Sequence, residues 1–171
     1  MHRAPAAIAG VHRARVIGNG FRELDRFLNG LVVAVGIQRG ARSRVAENNT
    51  ANALARLRDH IGIVADDGAR LRALGRSRAC LFYCDGVVRR PDDRGGAIMT
   101  LGWSPRGTAG EALERAVLGT EIAITPTQIA DVCAYYMAIG DGLLAVARTY
   151  ESRRSVAGPA ASQRPRVLEC A

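Results

Sequence analysis

Asp85 is the residue of this sequence whose type and position most clearly suggest chemistry. It directly follows a short apolar run at residues 80–84. Apolar runs of this length that contain aromatic residues are typical of buried strands, so the sequence predicts a strand that ends in a carboxylate. A carboxylate in such a place is costly unless it is paired or bound to a cation. One interpretation is therefore that Asp85 lies on a rigid strand to bind a metal ion.

The pair Asp85-Gly86 also fits a simple turn, in which case the apolar run ends at Cys84. Both interpretations stay open at this point. In either case residues 89–94 predict a turn around Pro91, and an apolar run at 97–101 predicts a returning strand. The stretch 79–103 is then expected to form an antiparallel hairpin.

This hairpin resembles the opening hairpin of the ribonuclease H family, in its apolar run, Asp-Gly pair, proline-containing turn and Gly-Gly pair. The resemblance covers residues 79–150 and implies a ribonuclease H-like fold in which Asp85 is a ligand of catalytic Mg²⁺. The segment 127–131 resembles the family's Thr/Asn-Asn-x-Ala-Glu, which places Asp131 at its glutamate. The family's third carboxylate, in an Asp-Ser pair, has no match after Tyr150, and Glu169 in the last strand-like piece is the acid that could stand in for it.

What the resemblance implies is a metal-dependent nuclease. Asp85 and Asp131 would be catalytic, and together with Glu169 they would hold Mg²⁺, a hard cation that prefers oxygen ligands. Two such ions would activate water and stabilise the leaving oxygen during hydrolysis of the RNA strand of an RNA–DNA hybrid. The incomplete carboxylate set leaves an inactive relative open as well.

Two non-enzymatic functions are alternatives. The predicted strands at 79–84 and 97–101, followed by 107–117, resemble a GAF-type module that senses a small ligand. A long predicted helix at 126–152 would instead suit a homo-oligomeric interaction domain, with Tyr135, Tyr136 and Met137 on its surface.

The charge of the chain favours anionic partners. Its 24 basic residues are all arginine, and the net charge is +8. A basic protein attracts polyanions through phosphate contacts and counterion release, so nucleic acid is an expected partner. A basic surface without any ligand is the alternative.

The cysteines and the apolar runs predict the compartment. Cys80, Cys84, Cys133 and Cys170 form no Cys-x-x-Cys motif, so they are expected to be reduced thiols in a cytoplasmic protein. No run of consecutive apolar residues approaches the length of a membrane span, so no membrane partner is expected.

The rest of the chain predicts a single α/β domain with a small mixed or antiparallel sheet packed by helices. Residues 1–19 are expected to be a basic flexible arm, 20–152 the domain and 153–171 a disordered basic tail. The predicted helices, strands and mixed cases are a helix at 21–28, a strand at 31–37, a helix from Asn48 or Asn49 to about His60, a helix or strand at 69–74 with helix favoured, a helix at 111–118 and a strand at 121–124.

The helix at 126–152 is the best-defined element. Thr125 predicts its cap, Pro126 occupies its first turn, and Gln128 completes a capping box. Asp131 lies nearly opposite the main apolar face of this helix, a face that includes Val132, Tyr136, Leu143 and Leu144. It either faces solvent or points toward the sheet from a second face of small residues.

Overall fold

Four α-helices and one short antiparallel sheet form the part of the chain that the computed structural model describes, residues 10–41, 49–104 and 112–156. The helices are α1 (Val11–Gln38), α2 (Thr50–Ile61), α3 (Gly68–Tyr83) and α4 (Pro126–Val156), and the strands are β1 (Ile98–Thr100) and β2 (Arg115–Val117). The predicted mixed α/β class with a small antiparallel sheet is confirmed at this level. Helices carry most of the described residues.

α1 is one continuous helix, so the strand predicted at 31–37 is wrong. Phe21, Leu28, Val32 and Val35 are all buried. Their separations of seven, four and three residues place them on one face of a helix. Because α1 packs against α2, α3 and α4, this tertiary contact outweighs the strand preference of a valine-rich run.

The first helix begins earlier in the chain than the sequence predicts. Residues 11–19, expected to belong to a basic arm, form the first turns of α1. Gly18 lies against α3 there, since a Cβ on it would be 2.8 Å from the backbone nitrogen of Phe82. Residues 1–9 of the predicted arm, and the predicted tail from 157 onward, lie outside the described residues.

Two helix starts predicted from capping residues are confirmed. The Asn49 side chain accepts a hydrogen bond of 3.0 Å from the Ala51 N–H at the start of α2. At the start of α4, the Gln128 N–H donates to Thr125 Oγ1 at 3.2 Å, and the Thr125 N–H donates to Gln128 Oε1 at 2.8 Å. This reciprocal pair is the capping box.

α3 occupies residues that the sequence assigns to the first strand of a hairpin. The strand predicted at 80–84 is wrong, because the helix continues to Tyr83, whereas the helical alternative for 69–74 is confirmed. Leu71, Leu74 and Leu81 are buried at helical spacing. The apolar run is therefore the last turn of a helix that packs against α1.

β1 confirms the strand predicted at 97–101, but its partner is different from the predicted one. β1 pairs with β2, with Met99 opposite Ala116, so the helix predicted at 111–118 is wrong where β2 forms. The residues before β1 cannot serve as its partner because α3 has taken up the run at 80–83. A segment that follows β1 in the chain pairs with it instead.

α4 carries apolar residues on its core face and also on its exposed face. Its core face buries Val132, Tyr136 and Leu143, as predicted, whereas Leu144, predicted on the same face, is 40% exposed. By length and composition the helix could cross a membrane over Pro126–Ser152, a test that core helices of soluble proteins also pass. The expectation that the protein has no membrane partner stays a prediction.

Candidate functional site

The turn interpretation of Asp85-Gly86 is confirmed. Asp85 has φ 55 and Gly86 has φ 83, so both residues are left-handed and end α3. The Gly86 N–H donates to the Cys80 carbonyl at 3.1 Å. Asp is one of the residue types that tolerate this backbone region, which explains its position next to a glycine.

The Asp85 carboxylate is bound by an arginine of α1. Arg15 Nε donates to Asp85 Oδ1 at 2.6 Å. The two side chains are 58% and 35% exposed respectively, so this is a surface ion pair of modest strength. Arg15 therefore offsets the energetic cost of placing the Asp85 carboxylate at this turn.

Replacing Asp85 by asparagine is expected to change the free energy of unfolding little, whereas a β-branched residue at this position should lower it further. Asp85→Asn is expected to lower the free energy of unfolding by less than about 1 kcal/mol, since it keeps the left-handed turn and loses an exposed pair. Asp85→Val is expected to cost a further ~1–2 kcal/mol, because a β-branched residue is strained at positive φ. Urea unfolding followed by circular dichroism measures both changes. Equal stabilities of the two variants would show that this residue is not held in the left-handed region.

The other two predicted metal ligands do not complete a carboxylate cluster in the described structure. Asp131 lies half-buried in α4, and Glu169 lies outside the described residues. Among residues 10–41, 49–104 and 112–156, no group of three or more His, Cys, Asp or Glu side chains is placed to hold a metal ion. The described residues therefore show no complete carboxylate set, and the Mg²⁺ site that the family resemblance implies stays a prediction.

A second candidate site is a cavity whose lining contains several arginine side chains. This cavity of about 660 Å³ lies between α3, the N-terminus of α2 and the segment 84–91 that follows α3. Asp25 is the one acidic residue among the described residues that line it. The basic residues that line it are Arg72, Arg76, Arg78, Arg89 and Arg90. We call this the arginine cavity.

Two structural elements bring these arginines together. Arg72, Arg76 and Tyr83 lie at i, i+4 and i+11 of α3, which places them on one helical face. Arg89 and Arg90 follow Val88, which is buried. The loop is held there because the Val88 N–H donates to the Thr120 carbonyl at 2.9 Å and the Val88 carbonyl accepts from the Gly119 N–H at 2.8 Å.

Two of the five arginines are paired with carboxylates. Arg78 forms an ion pair with Asp25, which also accepts a 3.5 Å hydrogen bond from the Tyr136 hydroxyl. Burial and the nearby Asp25 raise the pKa of Tyr136, so its hydroxyl stays protonated and donates. Arg76 Nε lies 2.7 Å from Asp92 Oδ1, without the alignment of a hydrogen bond, so this attraction is mainly coulombic.

The other three arginines leave the cavity positive. Arg72, Arg89 and Arg90 are exposed, and within the described part of the chain none of them forms an ion pair with a carboxylate. A concave surface with one sign of charge concentrates its field on ligands of the opposite sign. Guanidinium groups also match phosphate and carboxylate oxygens in a bidentate way. The arrangement is suited to binding an anion.

The cavity also offers an aromatic ring and an apolar wall. Tyr83 is 72% exposed, and its ring stands edge-on against Phe82 with centroids 4.9 Å apart. Met99 and Cys80 are buried beside it. Burial, and then the neighbouring Cys84, raise the pKa of Cys80 to about 11, so this thiol is uncharged at neutral pH. The ligand that fits would carry both anionic and flat, less polar parts.

The arginine cavity is absent from the sequence-based expectations, although its signal is in the sequence. Arg72, Arg76 and Tyr83 fall on one face only if the helix continues to Tyr83, and a strand at 80–84 hides that pattern. Arg89 and Arg90 lie in the predicted turn, where the local sequence indicates no role for them. A helix that continues to Tyr83 places three of these residues on one face.

A scan against protein-family models and searches of curated proteins and of solved structures gave no match to this chain.

Proposed function

We propose that this protein binds single-stranded nucleic acid in the arginine cavity. The observation that carries the proposal is the position of Arg72, Arg89 and Arg90, without carboxylate partners in the described structure, beside the exposed ring of Tyr83. Arginines would contact backbone phosphates, and the tyrosine ring would stack on a base. Grooves that bind single strands combine these two features.

A single strand fits this surface better than a duplex does. The bases of a duplex are already stacked on one another, whereas an unpaired base can turn out and stack on an aromatic side chain. One ring beside three arginines matches a short stretch of unpaired strand. Affinity should therefore depend on both salt concentration and strandedness.

The test is fluorescence anisotropy with a labelled 12-nucleotide RNA, the DNA of the same sequence, and the matching duplexes, all in EDTA. Single strands are expected to bind at least about tenfold more tightly than duplexes, given the ~1–3 kcal/mol of a stacked base. Three phosphate contacts predict a slope of roughly −2 for log K against log salt. Equal affinity for duplex and single strand would contradict the proposal.

Ribonuclease H-like fold and activity stay predictions, supported by the resemblance over residues 79–150. Their test is cleavage of an RNA–DNA hybrid with Mg²⁺, comparing the native protein with Asp85→Asn, which should keep the turn. Cleavage that disappears in the variant would support a catalytic carboxylate at Asp85. Binding without cleavage by either protein would contradict hydrolysis and leave the binding function.

The sensing-module alternative is favoured by the size of the cavity. A volume of about 660 Å³ lies in the range of small-ligand sites. Competition with a mononucleotide separates the two functions. If the mononucleotide binds as tightly as the 12-mer, the ligand is a small phosphorylated molecule rather than a strand.

A further inference from the structure

The outer face of α4 is an apolar surface that the described fold leaves open. Met137 is 66% exposed and Leu144 is 40% exposed, and Ala130 and Ala134 on the same side are also exposed. Only 28% of the most apolar window of this helix is buried. Exposed apolar side chains grouped on one side of a helix indicate an interaction surface.

The spacing of this row is that of a helix–helix seam. The exposed residues alternate between steps of four and three along the helix, which is the a/d spacing that keeps one side of a helix against a partner helix. The row consists of Ala130, Ala134, Met137, Asp141, Leu144 and Arg148. We call it the α4 seam.

The two charged members of the α4 seam determine which partner it fits. Asp141 and Arg148 are exposed, and neither side chain has an ion-pair partner within the described residues. They lie seven residues, or about 10.5 Å, apart along the helix. Side by side in parallel, two copies would place like charges together. In an antiparallel pair related by a two-fold axis, Asp141 of each copy lies within reach of Arg148 of the other.

We propose that α4 pairs with α4 of a second copy of this chain, antiparallel and two-fold symmetric, along the α4 seam. A two-fold interface must be self-complementary, and a row with one acid and one base on either side of Leu144 meets that condition. Inserted in hydrocarbon, the same two charges would lack partners at a substantial cost. A second copy pairs both charges and covers Leu144, the apolar seam residue that lies between them.

Charge-swap variants of the full chain test this arrangement by sedimentation velocity between 1 and 100 µM. The native chain is expected to be a dimer. Asp141→Arg and Arg148→Asp should each weaken it by at least about tenfold, because two attractive pairs become repulsive. The double variant should restore the dimer, since the antiparallel pairs are then merely exchanged. In a parallel dimer the single variants would have little effect, so an unchanged single variant overturns the proposal.

Three further outcomes test the proposal. A native chain that stays monomeric at 100 µM overturns the proposal even if a variant fails to fold, and circular dichroism detects such a failure. Flotation of the monomer with vesicles of phosphatidylcholine and phosphatidylglycerol would assign the α4 seam to a lipid surface instead. A mixture of the two single variants should form heterodimers by native mass spectrometry if the pairing is correct.

Discussion

Gly102→Ala is expected to lower the free energy of unfolding by about 3 kcal/mol or more. A Cβ at Gly102 would lie 2.3 Å from Leu74 Cγ and 2.6 Å from Leu74 Cα. A side chain can rotate away from a close contact, but a Cα can move only with its helix. The added methyl group would therefore push α3 and the segment after β1 apart.

That separation would break further contacts at the same place. The Gly102 N–H donates to the buried Ser77 Oγ at 3.0 Å, and the Gly102 carbonyl accepts from Arg70 Nε at 3.2 Å. Trp103, the next residue, is fully buried. A buried hydrogen-bonding group that loses its partner costs about 1–3 kcal/mol. The combined loss is a large fraction of the ~5–15 kcal/mol that stabilises a typical domain.

Gly30→Ala is the matched control for this substitution. Gly30 lies inside α1, and a Cβ on it would meet nothing within 4 Å. Alanine is favoured over glycine in a helix interior by roughly 1 kcal/mol, so this variant should be slightly more stable than the native chain. Thermal unfolding should show the Gly102→Ala midpoint lowered by about 6–12 °C. A Gly102→Ala midpoint equal to the native one would show that α3 does not approach Gly102 this closely.

The features that the sequence predicts correctly are local. The capping box of Thr125 and Gln128 and the cap at Asn49 depend on residues within one helical turn. Their hydrogen bonds form wherever the rest of the chain lies. Helix starts of this kind can therefore be identified without knowing the tertiary structure.

The features that it predicts incorrectly depend on distant packing. The runs at 31–37 and 80–84 are short and apolar, and periodicity alone cannot separate a buried strand from a buried helical turn. Both runs are helical because Val32, Val35 and Leu81 belong to longer rows of buried residues. The partner of β1 is β2, which begins fifteen residues after β1 ends.

The same difference between local and distant information applies to the functional residues. Asp85 is a candidate by its residue type, and a local turn is one of the two interpretations that the sequence predicts for it. The arginine cavity requires the full length of α3 and the position of Val88, which is fixed by backbone bonds to Gly119 and Thr120. Those residues are some thirty positions away, so no local pattern reveals the cavity.

Reversing the charges of Arg89 and Arg90 together is expected to weaken binding of a single strand by at least about a hundredfold. Each hydrogen bond between a guanidinium and a phosphate contributes about 1.5–3 kcal/mol, and glutamate replaces the attraction by repulsion. Two such losses exceed the ~2.7 kcal/mol that corresponds to a hundredfold change in Kd. Fluorescence anisotropy at one fixed salt concentration measures the effect.

The matched control for Arg89→Glu/Arg90→Glu is Arg13→Glu/Arg94→Glu. Arg13 and Arg94 are exposed and do not line the cavity, and the double variant carries the same change in net charge. It should lose only a few-fold in affinity, through the general field of the protein. If it weakens binding as much as the cavity variant does, the strand is held by overall charge and the cavity is not the site.

Tyr83→Ala separates stacking from charge within the same cavity. Removing the ring is expected to weaken binding about tenfold, as the loss of one stacked base implies. It should leave the salt dependence unchanged, because no phosphate contact is lost. The Arg89→Glu/Arg90→Glu variant should reduce the magnitude of that slope by about 1.4, at roughly 0.7 per phosphate contact on a single strand. An unchanged slope for Tyr83→Ala and a reduced slope for the arginine variant would assign the phosphate contacts to Arg89 and Arg90 and the base contact to Tyr83. Equal slopes for the two variants would contradict that assignment.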